Sequence, residues 1–308
     1  MAISADILAK CCIMSNMEYF IHLGILIAIW SILAFSLNLV IGYAGLLSIT
    51  HAAFFGIGAY GTAILMTEHD WNFFAAALIG IIVSMILAGV FGMILGRFKG
   101  DYYALASFGF NIIVFSVFLN WQELTRGPLG IPGIHRPEIN LGFFDFIFKS
   151  NISFLILSAF IAWIVYLVSC YIVDSSFGRV LKAIREDEQA ISVFGYNTAV
   201  YKMLVFVLSA GMAAIAGALF ATYITFIDPS TFSLNESIFI LAIVILGGLA
   251  NHKGVFWGTV FLILLPEILR FVGFPTDIAA QMRQVVYGVL LVVLMMYRPN
   301  GLMGEYKL

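Results

Sequence analysis

The sequence predicts an all-α polytopic membrane protein of roughly 8–10 transmembrane helices, with short or broken segments among them and an amphipathic helix on the cytoplasmic side. Three observations predict it. Of 308 residues, 62% are hydrophobic and 10% charged, whereas soluble domains average about 45–50% apolar and about 25% charged. Apolar runs of spanning length recur along the chain. One internal segment, Phe177–Asn197, interrupts them with a dense group of charges. A net charge of −2 without a basic run gives no footing for a nucleic-acid partner. Residues 1–308 read as a single transmembrane domain.

A spanning helix needs about 20 mostly apolar residues. That length picks out roughly nine runs: Tyr19–Ile41, Thr50–Met66, Phe73–Gly96, Tyr102–Trp121, Ile152–Val173, Met203–Phe226, Ile238–Leu249, Val255–Val272 and Ile278–Tyr297. The second and seventh are short. Short hydrophobic segments interrupted by Gly mark broken or re-entrant helices in transporters. Small residues recur every fourth position in the third run (Gly80, Ser84, Ala88, Gly92, Gly96) and in the sixth (Ser209, Ala213, Gly217, Ala221). Such stripes let helix backbones approach closely and read as bundle packing.

Three cysteines, Cys11, Cys12 and Cys170, lack the spacing of a metal site, and no metal or cofactor is expected. Cys11 and Cys12 are candidates for acylation or are simply unmodified. The N-terminal stretch lacks the pattern of a cleavable signal peptide. Basic residues set the expected orientation. Arg97, Lys99, Arg179, Lys182, Arg185, Lys202, Lys253, Arg298 and Lys307 fall on one side if every run crosses. Lys10, Arg126, Arg136 and Lys149 fall opposite, with Arg270 and Arg283 near span ends. The expectation is an N-terminus outside and a cytoplasmic C-terminus.

Gly42–Gly61, GYAGLLSITHAAFFGIGAYG, joins the first two runs. Its glycines permit bends and close helix approach. Ser48, Thr50 and His51 are costly against lipid, so they face the bundle or a water-filled pathway. Two readings stand for His51: a packing histidine, or a pathway residue together with Asn38 and Ser48. A second segment, GGLANHKGVFWG from Gly247, repeats the order Gly, Leu, His, aromatic, Gly. Paired breaks of this kind occur in inverted-repeat transporters.

In Phe177–Asn197 the apolar residues Leu181, Ile184 and Ile191 recur at helical spacing, and Gly195 supplies a stop. The segment reads as one amphipathic helix. It is either a solvated surface helix or a docking helix for a soluble partner. The outside loop, about residues 122–151, carries the turn-rich GPLGIPGI and is either a cap or a passive connection. Glu267 and Arg270, three apart, read as a structural pair. The spans show no chain of embedded acids and bases, and no G-x-x-x-x-G-K-[ST] loop is present.

LNLVIGYAGLLSITHAAFFGIGAY (from Leu37), GRVLKAIREDEQAISVFGYN with YKMLVFVLSAGMAAIAGALFA (from Gly178), DPSTF (Asp228), ILGGLANHKGVFWGTVF (Ile245), LPEILR (Leu265) and RPNGLMG (Arg298) follow one another in order. Together they resemble the permease subunits of branched-chain amino acid ABC importers, of the LivH/LivM type. The resemblance runs from about Tyr19 onward. It implies a non-enzymatic permease in a prokaryotic plasma membrane, working by alternating access. The implied partners are a second related permease, two cytoplasmic ATP-binding subunits, an extracytoplasmic substrate-binding protein and membrane lipid. Residues 174–200 become the coupling loop, with Arg179, Lys182, Arg185, Glu186, Asp187, Glu188 and Gly195 as candidate ATPase contacts. The common importer pattern is Glu-Ala-Ala with Gly six residues after the Glu; here Glu188-Gln189-Ala190 precedes Gly195 by seven. A urea or short-amide importer permease shares much of the pattern, and an ion-coupled secondary transporter is the rival from another class.

Overall fold

The computed structural model describes residues 2–98, 100–140, 145–147, 150–271, 285, 288–289, 292–293, 296 and 301–304, with side chains described from Met17 except at 139–140, 145–147 and 267–271. Among these residues the chain is almost entirely helical. The helices are α1 (Ala2–Asn38), α2 (His51–Glu68), α3 (Phe73–Leu95), α4 (Asp101–Asn120), α5 (Gln122–Thr125), α6 (Asn151–Asp174), α7 (Ser176–Glu186), α8 (Glu188–Val193), α9 (Thr198–Ile224), α10 (Leu234–Gly247) and α11 (His252–Phe271). Short strands β1 (Ile131–Pro132), β2 (Glu138–Asn140), β3 (Asp145–Ile147) and β4 (Phe226–Ile227) complete it. β1 pairs antiparallel with β4, Ile131 opposite Ile227, and β2 with β3.

Five described helical segments are long and apolar enough to cross a membrane: Met17–Tyr43, Phe73–Leu95, Asp101–Asn120, Asn151–Asp174 and Thr198–Ile224. α2, α10 and α11 join them in one bundle. Of the expected ninth span, Ile278–Tyr297, only residues 285, 288–289, 292–293 and 296 are described, and these are helical; Lys99, Lys149, Arg283, Arg298 and Lys307 lie outside the described residues. The side chains of Lys10, Cys11, Cys12, Glu267 and Arg270 are likewise not described.

Helix ends follow local chemistry. Asn72, Ser150 and Asn197 cap α3, α6 and α9 by accepting from Phe74 N, Ile152 N and Val200 N. α1, α2, α9 and α10 form the centre, while α3, α4 and α6 bury one stripe each. On α3 the buried stripe is Gly80, Ser84, Ala88 and Gly92, and Leu78, Ile82, Ile86 and Met93 face outward. In lipid this exposed apolar face needs no cover. The stripe meets α9, where Ser84 Oγ donates to Ala210 O (3.2 Å) and Gly92 lies against Met203.

The short second run is the middle of the bundle. A Cβ on Gly58 would collide with the Ala214 backbone, and one on Gly217 with Phe55 O and Ala59 N. Small residues bring these two backbones together. Before α2 the chain is non-helical over 44–50. Before α10 a 3-10 turn, Pro229–Phe232, buries Phe232 against Phe55, Tyr60 and Phe118. α10 therefore starts inside the bundle, level with the middle of α4, where Asn111 Nδ2 donates to Ser237 Oγ (3.0 Å).

The charged segment differs from its expectation of one helix. Asp187 (φ −152°, ψ 99°) breaks it into α7 and α8, and its carboxylate caps α8 through Gln189 N (2.9 Å) and Ala190 N (3.0 Å). An Asp with free N–H groups two and three residues ahead competes with helix continuation.

Gly217→Val is expected to lower the thermal unfolding midpoint of the detergent-solubilised protein, by overpacking worth about 1–3 kcal/mol. Gly109→Ala, inside α4 where an added Cβ meets nothing within 4 Å, should not lower the midpoint and should raise it slightly, because Ala is the better helix former.

Candidate functional site

The helix breaks at 44–50 and 248–251 meet. α1 ends in a π-turn, Leu39–Tyr43, and the chain turns away at Gly45 (φ +68°). Beside it, α10 ends at Gly248 (φ +107°), and Ala250 holds φ +61°, a left-handed conformation that costs a non-Gly residue roughly 1–2 kcal/mol. Asn38 joins the two breaks. Its Oδ1 accepts from Ala250 N (3.1 Å) and its Nδ2 donates to His252 Nδ1 (3.2 Å). With Nδ1 accepting, a neutral His252 carries its proton on Nε2 and donates it to Ser169 Oγ on α6 (3.1 Å). Asn38, Ser169 and His252 are all buried. Gly42 has no room for a side chain, because Asn38 and Ala250 N occupy that space.

Residues 301–304, within the RPNGLMG motif, close the same junction. Leu302 N and Met303 N donate to Leu246 O (2.9 Å) and Gly247 O (3.2 Å) at the end of α10, and Asn251 Nδ2 donates to Met303 O (2.8 Å).

The rest of the first break is pinned from α4 and α10. Ser48 and Thr50 hydroxyls bond each other (2.9 Å). Ile49 N donates to Ser107 Oγ (3.0 Å), and Ala52 N donates to Ser237 Oγ (3.0 Å). His51 is buried, and neither ring nitrogen makes a hydrogen bond of normal geometry. Asn38, Ser48 and His51 thus lie inside the bundle. Asn38 sits at the junction of the breaks and the other two at the start of α2. A small hollow of about 190 Å³ lies nearby, lined by Asn111, Ser233, Leu234 and Asn235.

α7 docks on the first break. Arg185 Nη1 donates to Ile41 O (3.3 Å) and Gly42 O, carbonyls at the end of α1. Lys182 Nζ stands 5.4 Å from the Tyr43 ring centroid. Leu181 and Ile184 are buried beneath. Glu188 Oε2 pairs with Lys202 Nζ (2.6 Å), and Thr198 Oγ1 donates to Glu188 Oε1 (3.0 Å). Arg179 Nη1 reaches Asp174 O (3.3 Å), Asp187 serves as the cap, and Gly195 (φ +87°) ends α8. Of the charges, Arg185 and Glu188 therefore face inward, and Glu186 is exposed. The exposed surface of α8 and its end carries two large apolar side chains: Val193 is 85% and Phe194 78% exposed.

Sequence reasoning missed the roles of His252, Ser169, Lys202 and Ser237. The Gly-Leu-His echo pointed at His252, but nothing in sequence spacing joins positions over 200 residues apart. It also missed Glu236, which precedes the apolar run Ile238–Leu249; α10 starts at Leu234 and carries Glu236 in its first turn.

A bundle of apolar helices with paired interior breaks, and a charged helix pair docked on one of them, defines a polytopic α-helical membrane protein. The family model for the branched-chain amino acid transport system permease component matches residues 19–295, and the chain belongs to that family. It is 32% identical over 297 residues to the high-affinity branched-chain amino acid transport system permease protein LivM of Salmonella typhimurium, covering 89% of this chain and 68% of that one. It is 30% identical to the Escherichia coli LivM, covering 92% and 69%. It is 26% identical to the Escherichia coli permease protein LivH, covering 90% and 91%. No solved structure matches the chain.

Asn38→Leu strands Ala250 N and His252 Nδ1 and should destabilise the protein by about 1–3 kcal/mol per unpaired group in thermal denaturation. Ala250→Gly removes the left-handed penalty and should raise the same midpoint.

Proposed function

We propose that the chain is a permease subunit of an ATP-driven importer for branched-chain amino acids, carrying its substrate by alternating access in a prokaryotic inner membrane. The observation that carries this reading is the family match across residues 19–295, with relatives named as LivM and LivH permeases of such transport systems. The similarity to both kinds supports a pathway shared with a second, related permease. Energy comes from partner ATPases, since the sequence has no phosphate-cradling loop of its own. An extracytoplasmic binding protein delivers the substrate, and α7–α8 with the C-terminus lie in the cytoplasm.

The chain's own part in coupling is mechanical. Val193, Phe194 and Tyr196 form the apolar knob that enters an ATPase cleft. Arg185 passes displacement of α7 to the carbonyls of Ile41 and Gly42, and so to the break before α2. Asn38, Ser48 and His51 belong to the region that rearranges when the pathway opens.

One observation favours the ion-coupled rival: Glu236 lies in the first turn of α10 and makes no ion pair among the described residues. An intramembrane carboxylate is a functional-site candidate. Uptake of labelled leucine in cells depleted of ATP separates the readings. Uptake is expected to stop; persistence until the ion gradient is collapsed would install the rival. Competition by leucine but not urea is expected to separate the importer types.

Phe194→Asp should release the ATPase subunits during mild-detergent purification, read by mass spectrometry of co-purifying proteins, while Glu186→Gln should retain them. Arg185→Ala should keep the ATPase bound yet reduce uptake at least tenfold.

A further inference from the structure

Between α1, α6 and α11 the bundle leaves a groove of about 500 Å³. Its walls are apolar, with Ala28 and Phe35 from α1, Trp163 from α6, and Phe256 and Trp257 from α11. Its polar lining is limited to Ser31, Tyr166 and Lys253. Along α1 the wall runs from Gly24 to Phe35, which is ~16 Å of axis at a rise of about 1.5 Å per residue. That is about one leaflet of a hydrocarbon core roughly 30 Å thick.

The groove opens on the outer surface of the bundle. Trp163 and Trp257 on its walls are each 56% exposed, on a face where lipid is the solvent. Lys253 stands at one end, in the first turn of α11. It adjoins His252 and the helix breaks, so it lies at the same end of the bundle as α7. Lys253 is exposed, and among the described residues it has no ion-pair partner. A leaflet-deep apolar slot with one cation at its mouth complements a molecule with a long apolar tail and an anionic head. Basic residues beside grooves between transmembrane helices bind lipid phosphates in this way.

We propose that this groove holds one acyl chain of an anionic phospholipid, with the lipid phosphate on the Lys253 ammonium. The bound chain fills the space between α6 and α11 and steadies the helix that carries His252. The site is separate from the amino acid pathway and does not depend on the identity of the transported substrate.

The groove tryptophans report its occupancy. The permease in its native complex is reconstituted into phosphatidylcholine vesicles containing brominated phosphatidylglycerol or brominated phosphatidylcholine. The quenching lost in a Trp163→Phe/Trp257→Phe variant is the groove signal. Brominated phosphatidylglycerol should reach half-quenching at about fivefold lower mole fraction than its phosphatidylcholine counterpart. Lys253→Gln should abolish that preference, and Lys253→Arg should keep it. Equal quenching by the two lipids in the wild type, or a preference that survives Lys253→Gln, would overturn the proposal. So would the absence of groove quenching by either lipid, which would mean that protein, such as a companion permease, covers the groove.

Discussion

A chain that leaves the helix inside a bilayer must find a partner for every backbone group it frees. That constraint governs the centre of this protein. The chain interrupts its helices before α2 and between α10 and α11, and it sets the two interruptions against each other. One side chain, Asn38, serves both: it accepts the amide of Ala250 and donates to His252, which is bonded to Ser169. Three helices are fixed by this one row of hydrogen bonds. Residues 301–304 take up the last carbonyls of α10 from the other side. The neighbouring glycines follow from the crowding, since Gly42 and Gly248 each have backbone where a Cβ would stand.

The same constraint ties the polar end of the bundle to its interior. The π-turn at Leu39–Tyr43 presents carbonyls that a regular helix end would leave to water or a cap. Arg185 of α7 fills that role, so α7 is bonded to main chain at the break. Side-chain contacts can slip past one another, whereas a guanidinium on carbonyls of a helix end holds position as well as contact. The ion pair between Glu188 and the buried Lys202 anchors α8 to α9 in the same manner. Both anchors turn charge inward and leave apolar Val193 and Phe194 exposed.

Away from this centre the demands are looser. α3, α4 and α6 need only one buried stripe, because lipid accepts their remaining faces. Small residues do the packing where backbones come close, as at Gly58 against Ala214.

The sequence by itself determined the class and most of the spans. The lengths of the apolar runs placed α3, α4 and α6 within a residue or two of their observed ends, because hydrocarbon thickness dictates the length of such helices. The small-residue stripes foretold packing faces, and the glycine clusters foretold both breaks. The order of motifs pointed to the family. Tertiary structure decided the rest. Asn38 and His252 are more than 200 positions apart, and no periodicity joins them. Charges at Arg185 and Glu188 look like surface charges in any local window; only the folded chain brings the carbonyls and the ammonium that draw them inward. Glu236 looked like a loop residue because an acid interrupts an apolar run, yet the depth at which α10 begins is set by Phe232 packing into the bundle. Hydropathy is a property of neighbours in sequence, and it reports where the membrane is. The partners of polar groups inside that membrane are neighbours in space, and these only the fold supplies.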